Sequence, residues 1–134
     1  MFYFPSTVWE TEAGRRANVT AHLDITHITE EGKDVICNIS FIDNRGLPEN
    51  VSQDISISAY DTVIQLNDVE ILFLDHEINT YRITSNFSPQ ELFELSQMDE
   101  IVLTATVDDT AYQFYPPKMF FIYLSQYFEI IATQ

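Results

Sequence analysis

The chain has 134 residues, enough for one domain with a single core, and hydrophobic residues make up 46% of it, which excludes a disordered, solvating tail. Its 21 acidic residues against 6 basic residues give a formal net charge of −15. Because contacts to phosphate need Lys and Arg, this balance disfavours direct binding to nucleic acids and to anionic membranes, and it favours a basic protein partner. The alternative is that the acidity only keeps a bacterial-type cytosolic protein soluble.

Cysteine content and the first residues indicate a cytoplasmic protein. Cys37 is the only cysteine, so an intramolecular disulfide is excluded. The N-terminal sequence contains neither the basic region nor the long apolar region of a secretion signal, and no run approaches the roughly 20 apolar residues of a membrane span.

An aromatic lead, residues 1–17, opens the chain, and we expect its aromatic side chains to pack onto the main body. Strict alternation of apolar and polar residues follows over 18–26 and again over 34–43, which predicts two strands joined as a hairpin. Cys37 falls on the apolar face, so we interpret it as a small buried hydrophobic residue.

Residues 47–54 are predicted to form a loop that is a candidate for contacts with a partner. Four short strands are then predicted, separated by turns rich in Asp and Asn: 55–60, 62–66, 69–74 and 78–84. Residues 70–74 are nearly continuous in apolar side chains, which predicts burial on both faces.

A capping box predicts a short helix near 88–98. Ser88 can accept a hydrogen bond from the third amide of the helix, Glu91 can reach back to the amide of Ser88, and Pro89 occupies a position where its missing N–H has no effect. Two strands, 101–107 and 111–115, are predicted to form a hairpin beyond it.

After two prolines, residues 118–131 predict a C-terminal helix whose apolar side chains cover more than half of its circumference. Two alternatives account for so wide an apolar surface. The helix packs on the sheet with one side and on a second subunit with the other, or it lies within its own core under the aromatic lead. The candidate residues for a dimer interface are Phe121, Tyr123, Tyr127 and Phe128.

Four residues are candidates for a metal site: His22, Asp24, His76 and Glu77. His22 and Asp24 share the polar face of one predicted strand, and His76 and Glu77 lie in a turn that could approach them. The spacing of established zinc or iron sites is missing, so solvated side chains on an exposed face are the simpler interpretation. No nucleophile motif or glycine-rich phosphate loop occurs, and we expect neither an enzyme nor a cofactor.

Seven acidic residues are candidates for docking on a basic partner: Glu30, Glu31, Asp34, Asp68, Glu70, Asp75 and Glu77. By analogy of charge and size, such a surface is typical of inhibitors and immunity proteins that occupy the basic site of another protein. The alternatives are a small β-barrel that binds an apolar molecule and a structural or assembly role.

The sequence therefore predicts a single α+β domain over 1–134 that is mainly β. We expect an antiparallel β-sandwich or open barrel of about seven to nine strands. Residues 1–17 form the aromatic lead, 18–87 the antiparallel strands, and 88–134 a block of helix, hairpin and helix. The expected function is non-enzymatic binding of a basic protein in the cytoplasm.

Overall fold

A computed structural model describes residues 2–28, 30 and 33–132 of the chain. The strands are β1 (Phe2–Trp9), β2 (Val19–His27), β3 (Val35–Asp43), β4 (Ser56–Ser58), β5 (Val63–Gln65), β6 (Asn67–Asp75), β7 (Thr80–Phe87), β8 (Val102–Val107) and β9 (Thr110–Phe114). The helices are a 3-10 turn (Gly14–Arg16), α1 (Pro89–Ser96) and α2 (Lys118–Ala132). None of these helices is long and apolar enough to cross a membrane.

Two antiparallel sheets face each other across one core. The first contains five strands in the order β1-β2-β3-β7-β6, and the second contains four in the order β5-β4-β8-β9. In β2 and β3 the alternating apolar residues point inward, and they join one cluster of buried side chains with those of β8. The predicted α+β architecture, mainly β with a C-terminal helix, is confirmed, and it takes the form of a sandwich.

The aromatic lead contains strand β1, which pairs with β2 at one edge of the first sheet. The pairing shifts between Phe4 and Thr7, next to Pro5, as expected where proline cannot donate a ladder hydrogen bond. Phe4 and Trp9 are buried, and the indole N–H of Trp9 donates to Thr7 Oγ1 at 3.0 Å. The predicted packing holds for these two rings and is wrong for Tyr3, which is exposed.

The predicted capping box opens α1. The hydroxyl of Ser88 accepts a hydrogen bond from the amide of Glu91 at 3.1 Å, and the amide of Ser88 donates to Glu91 Oε1 at 2.9 Å. Pro89 occupies the first turn. Leu92 and Leu95 anchor the helix in the core.

Helix α2 packs on β1 through a narrow stripe of three buried residues, Phe120, Leu124 and Tyr127. The ring of Phe120 lies 4.8 Å from that of Trp9, and Tyr127 contacts the ring of Phe2 at 5.0 Å. Four further apolar residues are exposed around the rest of the helix, where they alternate with exposed polar residues: Met119, Ile122, Phe128 and Ile130. The alternative in which the whole helix lies within the core is therefore wrong.

Candidate functional site

The polar face of β2 carries a buried ion pair. The carboxylate of Asp24, with a side chain only 6% exposed, accepts a hydrogen bond from Arg82 Nη2 at 2.7 Å. Asn38 donates to its other oxygen at 3.2 Å, and Arg82 Nη1 donates to Ser40 Oγ at 2.8 Å. Arg82 thus reaches from β7 across β3. The interpretation of Asp24 as a solvated side chain is wrong, and both of its oxygens are occupied by protein donors.

The four metal candidates are spread over the first sheet. His22 is half-buried on β2, where burial lowers its pKa, whereas His76 and Glu77 lie in the exposed turn between β6 and β7. Strands β3 and β7 lie between β2 and β6, a separation of about 14 Å at three strand spacings. In the part of the chain that the structure describes, no group of three or more His, Cys, Asp or Glu side chains is placed to hold a metal ion.

A second buried polar contact, which the sequence analysis did not find, joins β2 to α2. The hydroxyl of Tyr127 lies 2.7 Å from Nδ1 of His27, and both residues are buried. Burial lowers the pKa of His27 and raises that of Tyr127. One hundred positions separate the two residues, so no local pattern could indicate the contact.

We expect the contribution of His27 to stability to depend on pH. Because its pKa is lowered in the folded chain, the unfolded chain binds more protons as the pH falls below about 6.5. The contribution is therefore complete above that pH and is lost as the pH falls through the folded pKa. Unfolding in urea of wild type and His27→Gln should differ less at about pH 5 than at about pH 8.

The exposed His76→Gln serves as the matched control for that comparison. An equal difference between wild type and His27→Gln at both pH values, or a larger one at the lower pH, would contradict the expectation.

Strand β6 carries a run of exposed apolar side chains. Ile71, Leu72, Phe73 and Leu74 are between 45% and 58% exposed, and Ile78 in the following turn is 58% exposed. The predicted burial of residues 70–74 on both faces is wrong. A continuous apolar run is typical of a strand inside a sheet, but among the described strands β6 pairs only with β7 and forms the edge of the five-stranded sheet.

The inner side of β6 remains uncovered because the second sheet is short at that point. Ile71 lies opposite Ile83, and Leu74 lies opposite Tyr81, so both point towards the second sheet. Strands β4 and β5 contain only three residues each. A cleft of about 300 Å³ remains between the sheets, lined by residues 50–53 and by Val69, Ile71 and Ile83 among others.

Four of the predicted acidic residues border this apolar run: Asp68, Glu70, Asp75 and Glu77. Glu70 lies opposite Thr84 on the outer face of the sheet, and Asp68 and Glu77 are exposed near the two ends of the strand. We call the combined surface the β6 edge. Its members are Ile71, Leu72, Phe73, Leu74, Ile78, Asp68, Glu70, Asp75 and Glu77.

The remaining acidic candidates lie elsewhere. Glu30 and Asp34 are exposed in the connection between β2 and β3, and Glu31 lies outside the described residues. Strand register places that connection at the end of the sheet where β6 begins, whereas Asp75 and Glu77 lie at the opposite end. The predicted acidic set is therefore divided, and its β6 members are the ones that adjoin exposed apolar side chains.

The four candidates for a dimer interface do not share one face of α2. Tyr127 is buried against His27 and β1, and Phe121 and Tyr123 are partly buried. Phe128 is exposed and lies 5.9 Å from the ring of Phe93 on α1. Among the four, only Phe128 is exposed, at 40% of its surface, and could contact a second subunit.

A larger cleft, about 530 Å³, lies between the loop 59–62 and α1 with the residues that follow it. It is a groove open to solvent, and its side chains include Tyr60, Phe93, Glu94 and Gln97. None of the residues that line it is buried, so it lacks the buried polar groups that orient a ligand in a binding pocket.

Comparison of the chain with models of protein families, with curated proteins and with solved structures found no match.

Proposed function

We propose that this chain is a non-enzymatic binding module that recognises a basic protein through the β6 edge. The observation that carries the proposal is the coincidence, on one edge strand and the turn that follows it, of four carboxylates with five exposed apolar side chains. Exposed apolar patches bordered by polar residues mark interaction surfaces in soluble proteins. The carboxylates make the surface negatively charged, which favours a positively charged partner.

The charge of this surface is not balanced by neighbouring residues. No Lys or Arg occurs between Arg45 and Arg82, a stretch that includes all of β4, β5 and β6. Arg82, on the adjacent strand, pairs with Asp24, and Arg45 pairs with Asp43. The electrostatic potential at this surface is therefore negative throughout, which speeds association with a basic partner and disfavours acidic competitors.

The proposal includes an inhibitor or immunity-type action in the cytoplasm. A module of this kind acts by covering a basic site on its partner and thereby excluding that site's natural ligand. The buried Cys37 does not bear on the compartment, because burial raises the pKa of its thiol to about 12 and leaves it a packing residue. The alternative of a ligand-binding barrel receives less support, because one cluster of buried side chains fills the space between the sheets apart from the cleft of about 300 Å³ beside β6.

Charge neutralisation of the β6 edge tests the proposal. The variant Asp68→Asn, Glu70→Gln, Asp75→Asn and Glu77→Gln keeps side-chain size and removes four charges. Surface ion pairs contribute about 0.2–1 kcal/mol each, so the loss of four such pairs is expected to lower the affinity for a basic partner roughly 4- to 900-fold. The measurement is retention of basic proteins from a native lysate of the source cells on the immobilised chain, followed by titration of each retained protein.

A matched variant removes the same number of charges elsewhere: Glu12→Gln, Asp99→Asn, Glu100→Gln and Glu129→Gln, all at exposed sites. We expect this variant to bind as the wild type does. Equal loss in both variants would show that only the diffuse net charge matters, and the proposal fails if no basic protein is retained at low salt.

A further inference from the structure

We propose that the partner binds by strand addition: an extended basic segment pairs with β6 and becomes the sixth strand of the first sheet. This inference rests on the proposed function and specifies how the β6 edge makes its contact. An edge strand has a row of unpaired backbone N–H and C=O groups, which can pair with an extended segment that carries suitable side chains.

The backbone of β6 is paired on one side, by β7, and no other strand of the described residues pairs with it. Near its start, the carbonyl of Val69 accepts a weak hydrogen bond from Gln53 Nε2 at 3.4 Å. Beyond this point the exposed run begins. An added strand would therefore pair with the backbone of β6 from Ile71 to Asp75.

Both faces of an added strand would find apolar neighbours. On the inner face its side chains would lie beside Ile71 and Leu74, next to the cleft of about 300 Å³ that the short second sheet leaves open. On the outer face they would lie beside Phe73, which is opposite Arg82. Since neighbouring strands interact through such side-by-side pairs, the segment should carry apolar, β-branched side chains at alternate positions.

The negative charges near β6 favour a basic partner over a second copy of this chain. Antiparallel pairing of two β6 strands would bring two sets of four carboxylates together along one short interface, and like charges placed opposite each other are destabilising. A segment with Lys or Arg near both ends avoids this repulsion and faces carboxylates at each end of the apolar run.

The test uses the full chain and a phage library of random peptides of about 12 residues. Peptides are selected on the wild type and counter-selected on the neutralised β6 variant described above. The expected peptides carry Lys or Arg towards both ends and β-branched residues at alternate positions between them. Bound peptide should slow hydrogen exchange at alternate amides of β6, and N-methylation of the alternate peptide amides that pair should weaken binding at least about tenfold.

The outcomes separate this inference from the proposed function. Strand addition is overturned if basic peptides bind the β6 edge without slowing hydrogen exchange at the β6 amides and if N-methylation of either set of alternate peptide amides leaves their affinity unchanged. The recognition of a basic partner would still stand. Failure to select basic peptides overturns both. Concentration-dependent dimers that Leu72→Lys abolishes would identify a second copy as the occupant and overturn the proposal of a basic segment.

Discussion

Replacement of Asp24 by Ala is expected to lower the free energy of unfolding by about 3–5 kcal/mol. The side chain of Arg82 is only 19% exposed, and without Asp24 its guanidinium keeps Ser40 as its remaining side-chain partner. A charge that remains buried without its counter-ion is among the most destabilising changes in a core. Urea unfolding followed by the fluorescence of the buried Trp9 measures the loss.

His22→Ala is the matched control, because His22 lies two positions away on the same face of β2. Its ring makes only a 3.5 Å contact with Thr20 Oγ1, and we expect a loss of roughly 1 kcal/mol or less. The double variant Asp24→Leu with Arg82→Met should recover part of the stability, since replacing both charges removes the unpaired one.

The same pair of variants separates the structural interpretation of Asp24 from the metal interpretation. A structural ion pair predicts very unequal losses of stability in Asp24→Ala and His22→Ala. If the two variants instead lost stability equally, and if both lost a metal that co-purifies with the wild type, the ion-pair account would be wrong.

The parts of the fold that the sequence could predict depend on neighbours along the chain. The capping box at Ser88 involves residues three positions apart, and the alternation in β2 and β3 involves positions two apart. The contact of Asp24 with Arg82 spans 58 positions and depends on the order β2-β3-β7 in the sheet. No local pattern encodes that order, so the polar face of β2 could only be interpreted as solvated.

The apolar run at Ile71–Leu74 shows the same limit for the candidate site. The residue types correctly predicted a strand, and a central strand would have buried them on both faces. Their exposure follows from the position of β6 at the edge of one sheet and from the three-residue length of β4 and β5 in the other. The carboxylates at Asp68, Glu70, Asp75 and Glu77 were the available signal, because charged residues are typical of exposed edge strands.

The other large effect is expected on α2, where the same substitution at two faces of one helix should change stability by very different amounts. Phe120 is 1% exposed and packs on Trp9, so Phe120→Ala should lower the free energy of unfolding by about 3–5 kcal/mol. Phe128 is 40% exposed, and its contact with Phe93 is at the surface, so Phe128→Ala should change stability by roughly 1 kcal/mol or less. Urea unfolding at several protein concentrations measures both.

The dependence of stability on protein concentration tests whether the chain forms a dimer through α2. If the outer side of α2 packed on a second copy, wild-type stability would rise with protein concentration, and Phe128→Ala would abolish that dependence. Light scattering would then report a dimer that the variant converts to a monomer. Tyr127 is buried in its own subunit, so its substitution would destabilise the core. Phe128→Ala tests the interface without that effect. A wild type whose stability does not depend on protein concentration would contradict a dimer through α2.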